Sequence, residues 1–157
     1  MKPPDAIRLV IADDSHAVQS ALANAFNKMR HILLAGQAFD VPQTILRIHE
    51  TRAEIVILDL DMPGGSGFDV LKALSSAGVA PVIIVFSFHL SESLRKCCLI
   101  LGAQACLRKP DDAETLINAI SAMTRPGLDE LRSGTLTIDD IAASRALHEN
   151  QSNPSNP

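Results

Sequence analysis

Ile55-Val56-Ile57-Leu58-Asp59-Leu60-Asp61-Met62-Pro63-Gly64-Gly65-Ser66-Gly67 is the stretch on which the reading of the fold turns. Four successive aliphatic residues without polar alternation describe a strand buried on both faces, as in a parallel sheet. The run stops at an acid, and Pro63 with the glycines then makes a loop. Working outward, the same pattern recurs at 7–12, 32–35, 82–86 (introduced by Pro81) and 105–107. Helical spacing fills the intervals. Val18, Leu22, Phe26 and Met29, with Ala25, share one face; Ile45, Leu46 and Ile48 follow a cap at Asp40 with Gln43. Residues 68–74 and 91–101 supply two more helices, and Leu116, Ile117, Ile120 and Met123 a fifth, opened by Asp111 with Glu114 in a capping box. Five strand–helix units predict an α/β fold: a five-stranded parallel sheet, doubly wound, with its chemistry at the strands' carboxyl ends.

Composition narrows the function. A chain of 157 residues, 46% of them apolar, supplies one good core. The formal charge is −4 with no basic block, and aromatics make up only 3%, so neither a phosphate-binding patch nor a base-stacking platform is on offer and nucleic acid is not expected as a partner. No apolar run is long enough for a bilayer, and Met1-Lys2-Pro3-Pro4-Asp5 has no secretory character, which together predict a cytoplasmic protein with no membrane contact. Cys97, Cys98 and Cys106 are odd in number and lack metal-ligand spacing, so they read as small hydrophobes. The domain is expected over 6–124. Arg125-Pro126-Gly127 opens a C-terminal extension, 125–157, with one short helix over 138–147 and a disordered end from Asn150. That extension is acidic and too short for a helix-turn-helix unit. A solvated, weakly ordered tail is the expectation, with a docking helix as the alternative.

Functional groups collect at the strand ends. Asp13 and Asp14 follow the first strand, Asp59 ends the third, Ser87 the fourth and Lys109 the fifth. Parallel strands bring all these ends to one side. Crowded carboxylates repel unless a cation sits among them, and hard oxygen ligands with open positions suit Mg²⁺. A lysine and a hydroxyl are what a phosphoryl group needs, and a carboxylate beside the metal can be the nucleophile. Singly, each group has a plainer explanation: Asp14 or Ser15 as a helix cap, Ser87 as a turn residue, Lys109 as a solvated lysine, Asp59-Leu60-Asp61 as a loop. Four such coincidences at one sheet edge are a poor account of the set.

With these residues in view, the chain resembles the receiver domains of bacterial two-component signalling. Val10-Ile11-Ala12-Asp13-Asp14-Ser15 is similar to the family's acidic pair, and Asp59-Leu60-Asp61-Met62-Pro63 with Gly67 to its Asp-x-x-Met-Pro-x-x-x-Gly segment. Ser87 falls at the family's hydroxyl position and Lys109-Pro110 at its Lys-Pro pair. The resemblance covers roughly 6–124. It implies the flavodoxin-like receiver fold and a phosphoacceptor role, not an enzyme. Asp59 would accept phosphoryl from a sensor histidine kinase or histidine phosphotransferase. Mg²⁺ would be held by Asp14 directly, Asp13 through water, Asp59, and the backbone carbonyl of Asp61. Lys109 and Ser87 would hold phosphoryl oxygens, and the Lys109–Pro110 peptide would be cis. The output would be contact with a downstream protein or a homodimer.

Two departures from the family stand out. Phe88, a large ring, follows Ser87 where a small residue is usual, and Cys106 stands where the family tends to have an aromatic switch. Two rival functions remain: a degenerate receiver used as a scaffold, and a phosphohydrolase using the Asp59-x-Asp61 pattern, which leaves Asp13 and Asp14 unexplained. On the fourth helix, Leu94, Cys97, Cys98 and Leu101 are expected inside, leaving Leu99 and Ile100 outward as a partner surface.

Overall fold

The computed structural model describes residues 1–151. Five strands, β1 (Ile7–Ala12), β2 (Ile32–Ala38), β3 (Ile55–Leu58), β4 (Val82–Ser87) and β5 (Ala105–Arg108), form one sheet in the order β2-β1-β3-β4-β5. Every pairing is parallel. Five helices connect or follow them: α1 (His16–Asn27), α2 (Val41–Thr51), α3 (Gly67–Ser76), α4 (Glu92–Ile100) and α5 (Ala113–Ala122).

Period-two alternation divides the strand residues between two cores. Ile7, Leu9, Ile11, Ile55, Ile57, Val82, Ile84 and Phe86 face α1 and α5. Val10, Ala12, Val56, Leu58, Ile83 and Val85 face α2, α3 and α4. Both faces are covered, which is why the strands read as unbroken apolar runs. Ser15 caps α1 by accepting the Val18 N–H (3.3 Å), and Asp40 caps α2 through the Gln43 N–H (2.8 Å). The Gln43 side chain reaches back to the Phe39 amide rather than to Asp40 itself.

Three local expectations are corrected. The Asp111–Glu114 capping box does not form: α5 begins after Asp112, whose carboxylate is taken by the Arg108 N–H at 2.7 Å. Cys97 is exposed, because α4 turns only Cys98 fully inward, with Leu94 and Leu101 partly covered. And the segment after Met123 is not a loose tail. It folds as α6 (Arg125–Ser133), missed from the sequence because Pro126-Gly127 reads as punctuation, and α7 (Ile138–Gln151), which runs past the expected 138–147. Pro126 sits in the first turn of α6, where its missing N–H costs nothing, and Thr124 caps the Gly127 N–H at 3.0 Å. Leu128, Leu131, Ile138, Ile141 and Ala142 join the α1/α5 core. Arg125 pins α6 under the sheet, donating to the carbonyls of Asp5 and Ala6 and pairing with Glu54 at 2.6 Å. Residues 152–157, most of the stretch expected to be disordered, lie outside the described residues.

Candidate functional site

The strand order reverses direction between β1 and β3, and the acids sit at the carboxyl ends of those two strands. A doubly wound sheet opens a crevice at such a point. Backbone bonds fix the three corners. The Asp13 N–H donates to Ala38 O (3.0 Å), the Asp59 N–H to Ala12 O (2.9 Å) and the Lys109 N–H to Ser87 O (3.0 Å). Each side chain therefore leaves a rigid strand end. Gly67, the first residue of α3, packs against the loop after Asp59: a Cβ there would lie 2.7 Å from the Asp59 carbonyl, so only glycine allows the approach. The Lys109–Pro110 peptide is cis, as the resemblance implied.

Asp13, Asp14 and Asp59 each offer a carboxylate oxygen, and these oxygens lie within 4.8 Å of one another. Asp13 and Asp59 are buried and Asp14 is exposed. The Lys109 ammonium, also buried, donates to Asp13 and, at 3.2 Å, to Asp59. One Asp59 oxygen thus belongs to Lys109; the other accepts from the Ser87 hydroxyl at 2.9 Å and the Asp61 N–H at 3.1 Å. Asp13 is also tied by the Ser15 N–H at 2.9 Å. Burial pushes the Asp13 carboxyl above its ordinary value; bonds from Lys109 and Ser15 oppose the shift, and the Asp59 charge adds to it. A single ammonium among three carboxylates leaves an excess of negative charge. All the unspent donors are hard oxygens, a set that fits Mg²⁺.

The expected residues Asp13, Asp14, Asp59, Ser87 and Lys109 thus meet at one place. Asp61 contributes its N–H there, while its carboxylate turns away to the rim and pairs with His89 at 3.2 Å, both side chains exposed. Phe88 stands at the lip, 56% exposed, its ring centre 5.3 Å from the Lys109 nitrogen; Phe86 lies inside, 5.6 Å from the same atom. Lysine between two rings gains from both quadrupoles, a contact that spacing alone did not suggest. Gln19 was also missed. It points inward on α1 one turn before Leu22, and a polar residue on an apolar stripe was the available signal. Beyond the site, Cys106 is buried against α4, where the Arg95 guanidinium donates to its carbonyl, so no ring is present there to change rotamer. Leu99 (46% exposed) and Ile100 (83%) do face outward.

A family model described as the response regulator receiver domain matches residues 9–121. A protein-glutamate methylesterase/protein-glutamine glutaminase of Koribacter versatilis is 32% identical over 112 residues, 70% of this chain but 31% of that protein. The sensory transduction protein RegX3 of Mycolicibacterium smegmatis is 34% identical over 126 residues, 80% of this chain and 54% of the relative. The chain thus spans about a third to about half of these relatives' lengths. Among solved structures, the signal receiver domain of the response regulator NarL from Mycobacterium tuberculosis aligns at TM-score 0.65 and 19% identity, covering 96% of this chain and all of that one. The complex of CheX, CheY, beryllofluoride and Mg²⁺ from Borrelia burgdorferi contains a chain matched at TM-score 0.64 and 28% identity, covering 70% of this chain and 84% of that one.

Proposed function

The chain belongs to the response regulator receiver domain family of two-component signal transduction, and from that premise we propose that Asp59 is its phosphoacceptor. The observation that carries this is the double hold on Asp59, with Lys109 on one carboxylate oxygen and Ser87 on the other, beside two further acids. The donor is a phosphohistidine of a sensor kinase or histidine phosphotransferase. An Asp59 oxygen bonds to phosphorus as the phosphorus–nitrogen bond breaks; the electron pair stays on the imidazole, which takes up a proton. Lys109 and Ser87, which here hold the carboxylate, move their bonds to phosphoryl oxygens and offset the charge that builds there. Asp13, Asp14, Asp59 and the Asp61 carbonyl would hold Mg²⁺, which supplies charge neutralisation of the transferring group.

The domain spans 6–124, with 125–151 serving as a helical brace on the α1/α5 side. The modified domain acts by protein contact in the cytoplasm, through a downstream protein or a second copy, and without turnover of its own; Leu99 and Ile100 on α4 belong to that contact surface. A scaffold role without phosphorylation is the alternative, and Phe88 over Lys109 is the feature that favours it.

Labelling with acetyl phosphate and Mg²⁺, read by intact mass, separates the two. The wild type should gain one phosphoryl group, Asp59→Asn none, and Asp14→Ala none while remaining folded. An unlabelled wild type would leave the scaffold reading; full labelling of Asp14→Ala would sink the metal assignment. Sustained release of phosphate from a phosphate monoester would instead point to a hydrolase.

A further inference from the structure

Gln19 is 2% exposed, a polar side chain on the inner face of α1. Its Nε2 lies 3.1 Å from the Ile11 carbonyl, 3.1 Å from the Asp13 carbonyl and 2.8 Å from the Ala38 carbonyl. A primary amide has two N–H groups, so three carbonyls share two protons. Two of those carbonyls belong to the end of β1 and its following loop, and the third ends β2. The same Ala38 oxygen accepts the Asp13 N–H. One side chain therefore ties two strand ends together beneath the acidic pair.

The amide's other atom bears on what the residue contributes. Gln19 Oε1 is buried and, among the described residues, has no hydrogen-bond partner. Leaving a buried acceptor unpaired is unfavourable, and an apolar residue on this core-facing position would avoid that cost. The gain must lie in the donors. The Asp13 carbonyl takes its hydrogen bond from Gln19, while the Asp13 carboxylate takes one from the Ser15 N–H. Asp13 is thus held at both ends, and the Asp13–Asp14 peptide is held with it.

We propose that Gln19 is a positioning residue for the divalent-cation site, setting the direction of the Asp13–Asp14 peptide so that both carboxylates meet Asp59. The proposal rests on the phosphoacceptor reading above. It makes cation affinity depend on a side chain that touches neither the cation nor the phosphoryl group. The geometry that matters is small: carboxylate oxygens within 4.8 Å can be spanned by one ion, and a rotated peptide would open that spacing.

The test is Gln19→Met, which keeps length and apolar bulk and removes both donors. Mg²⁺ binding to the full chain is measured by titration calorimetry, and the urea midpoint is measured separately in EDTA. We expect Mg²⁺ affinity to fall about tenfold, about 1.4 kcal/mol. The amide resonances of Asp14 and Ser15 should shift in the metal-free protein. A residue that only filled the core would lower the EDTA midpoint and leave the Mg²⁺ Kd where it was, and that result overturns the proposal. If Gln19→Met does not fold, Gln19→Asn, an amide one methylene shorter, is read in the same way. A wild type that takes up no Mg²⁺ would defeat the phosphoacceptor reading and the positioning role with it. A wild type that binds beside a variant that binds equally defeats the positioning role alone.

Discussion

Replacing Lys109 by Met would leave the site with acids and no ammonium. Lys109 is buried, and the two carboxylates it bridges, Asp13 and Asp59, are buried with it. Removing one partner of a buried ion pair costs about 3–5 kcal/mol, because the charge left behind keeps its desolvation penalty. For a chain of this size each kcal/mol moves the Tm by about 2–4 °C, so Lys109→Met should melt about 6–20 °C below the wild type in EDTA. Three controls follow from the same reasoning. Mg²⁺ at about a hundred times its Kd should return about 2.7 kcal/mol, since it replaces the missing positive charge. Asp13→Asn combined with Lys109→Met should recover most of the loss, since it removes one of the stranded charges. The third control is pH. The folded Asp13 carboxyl already sits above its ordinary value through burial, and without Lys109 it rises further. The folded protein then binds more protons than the unfolded chain, so the variant's stability must fall as pH rises through that carboxyl's folded pKa. Thermal melts and urea denaturation across pH 4–8, run in EDTA and separately with Mg²⁺ in place of EDTA, read all of this. Equal stability of Lys109→Met and wild type in EDTA at neutral pH would refute the reasoning, for it would mean that the carboxylates do not depend on the lysine.

Phe88→Ala should speed both acetyl-phosphate labelling and loss of the label, each about tenfold, or about 1.4 kcal/mol of barrier, by opening the lip over Lys109; unchanged rates in both directions would show that the ring is no gate. At the opposite end of the sheet, burial alone would raise the Glu54 carboxyl, but bonds from Arg125 and the Arg8 N–H outweigh it and hold it below its ordinary value. Its stabilising contribution is therefore present above that value and lost as pH falls through the folded pKa. Arg125→Ala should cost about 1 kcal/mol at neutral pH, discounted because the arginine is partly exposed, and should flatten the acid limb of the stability curve; an unchanged limb would count against the pair. Among the cysteines, burial pushes the Cys106 thiol up to about 12 and raises Cys98 as well, while Cys97 is exposed. A disulfide reagent should titrate one thiol quickly and two only on unfolding; three equal rates would contradict the packing of α4.

Much of this protein was legible in one dimension. Aliphatic runs such as Ile55–Leu58 and Val82-Ile83-Ile84-Val85 are buried on both sides, and burial on both sides removes polar alternation, so the parallel sheet announces itself locally. Because every strand runs the same way, residues at the ends of β1, β3, β4 and β5 must share one edge, and strand order and direction alone bring Asp13, Asp14, Asp59, Ser87 and Lys109 to it. The tertiary structure decided what depends on direction rather than order. It turned the Asp61 carboxylate to His89, set Lys109 between Asp13 and Asp59, and laid Phe88 beside the ammonium. It brought Gln19 under β1 and β2, contacts between strand ends that no local pattern encodes. It also made α6 from a stretch whose Pro and Gly read as a break, because Leu128 and Leu131 gain a core to bury in only once α1, α5 and the sheet have assembled around them.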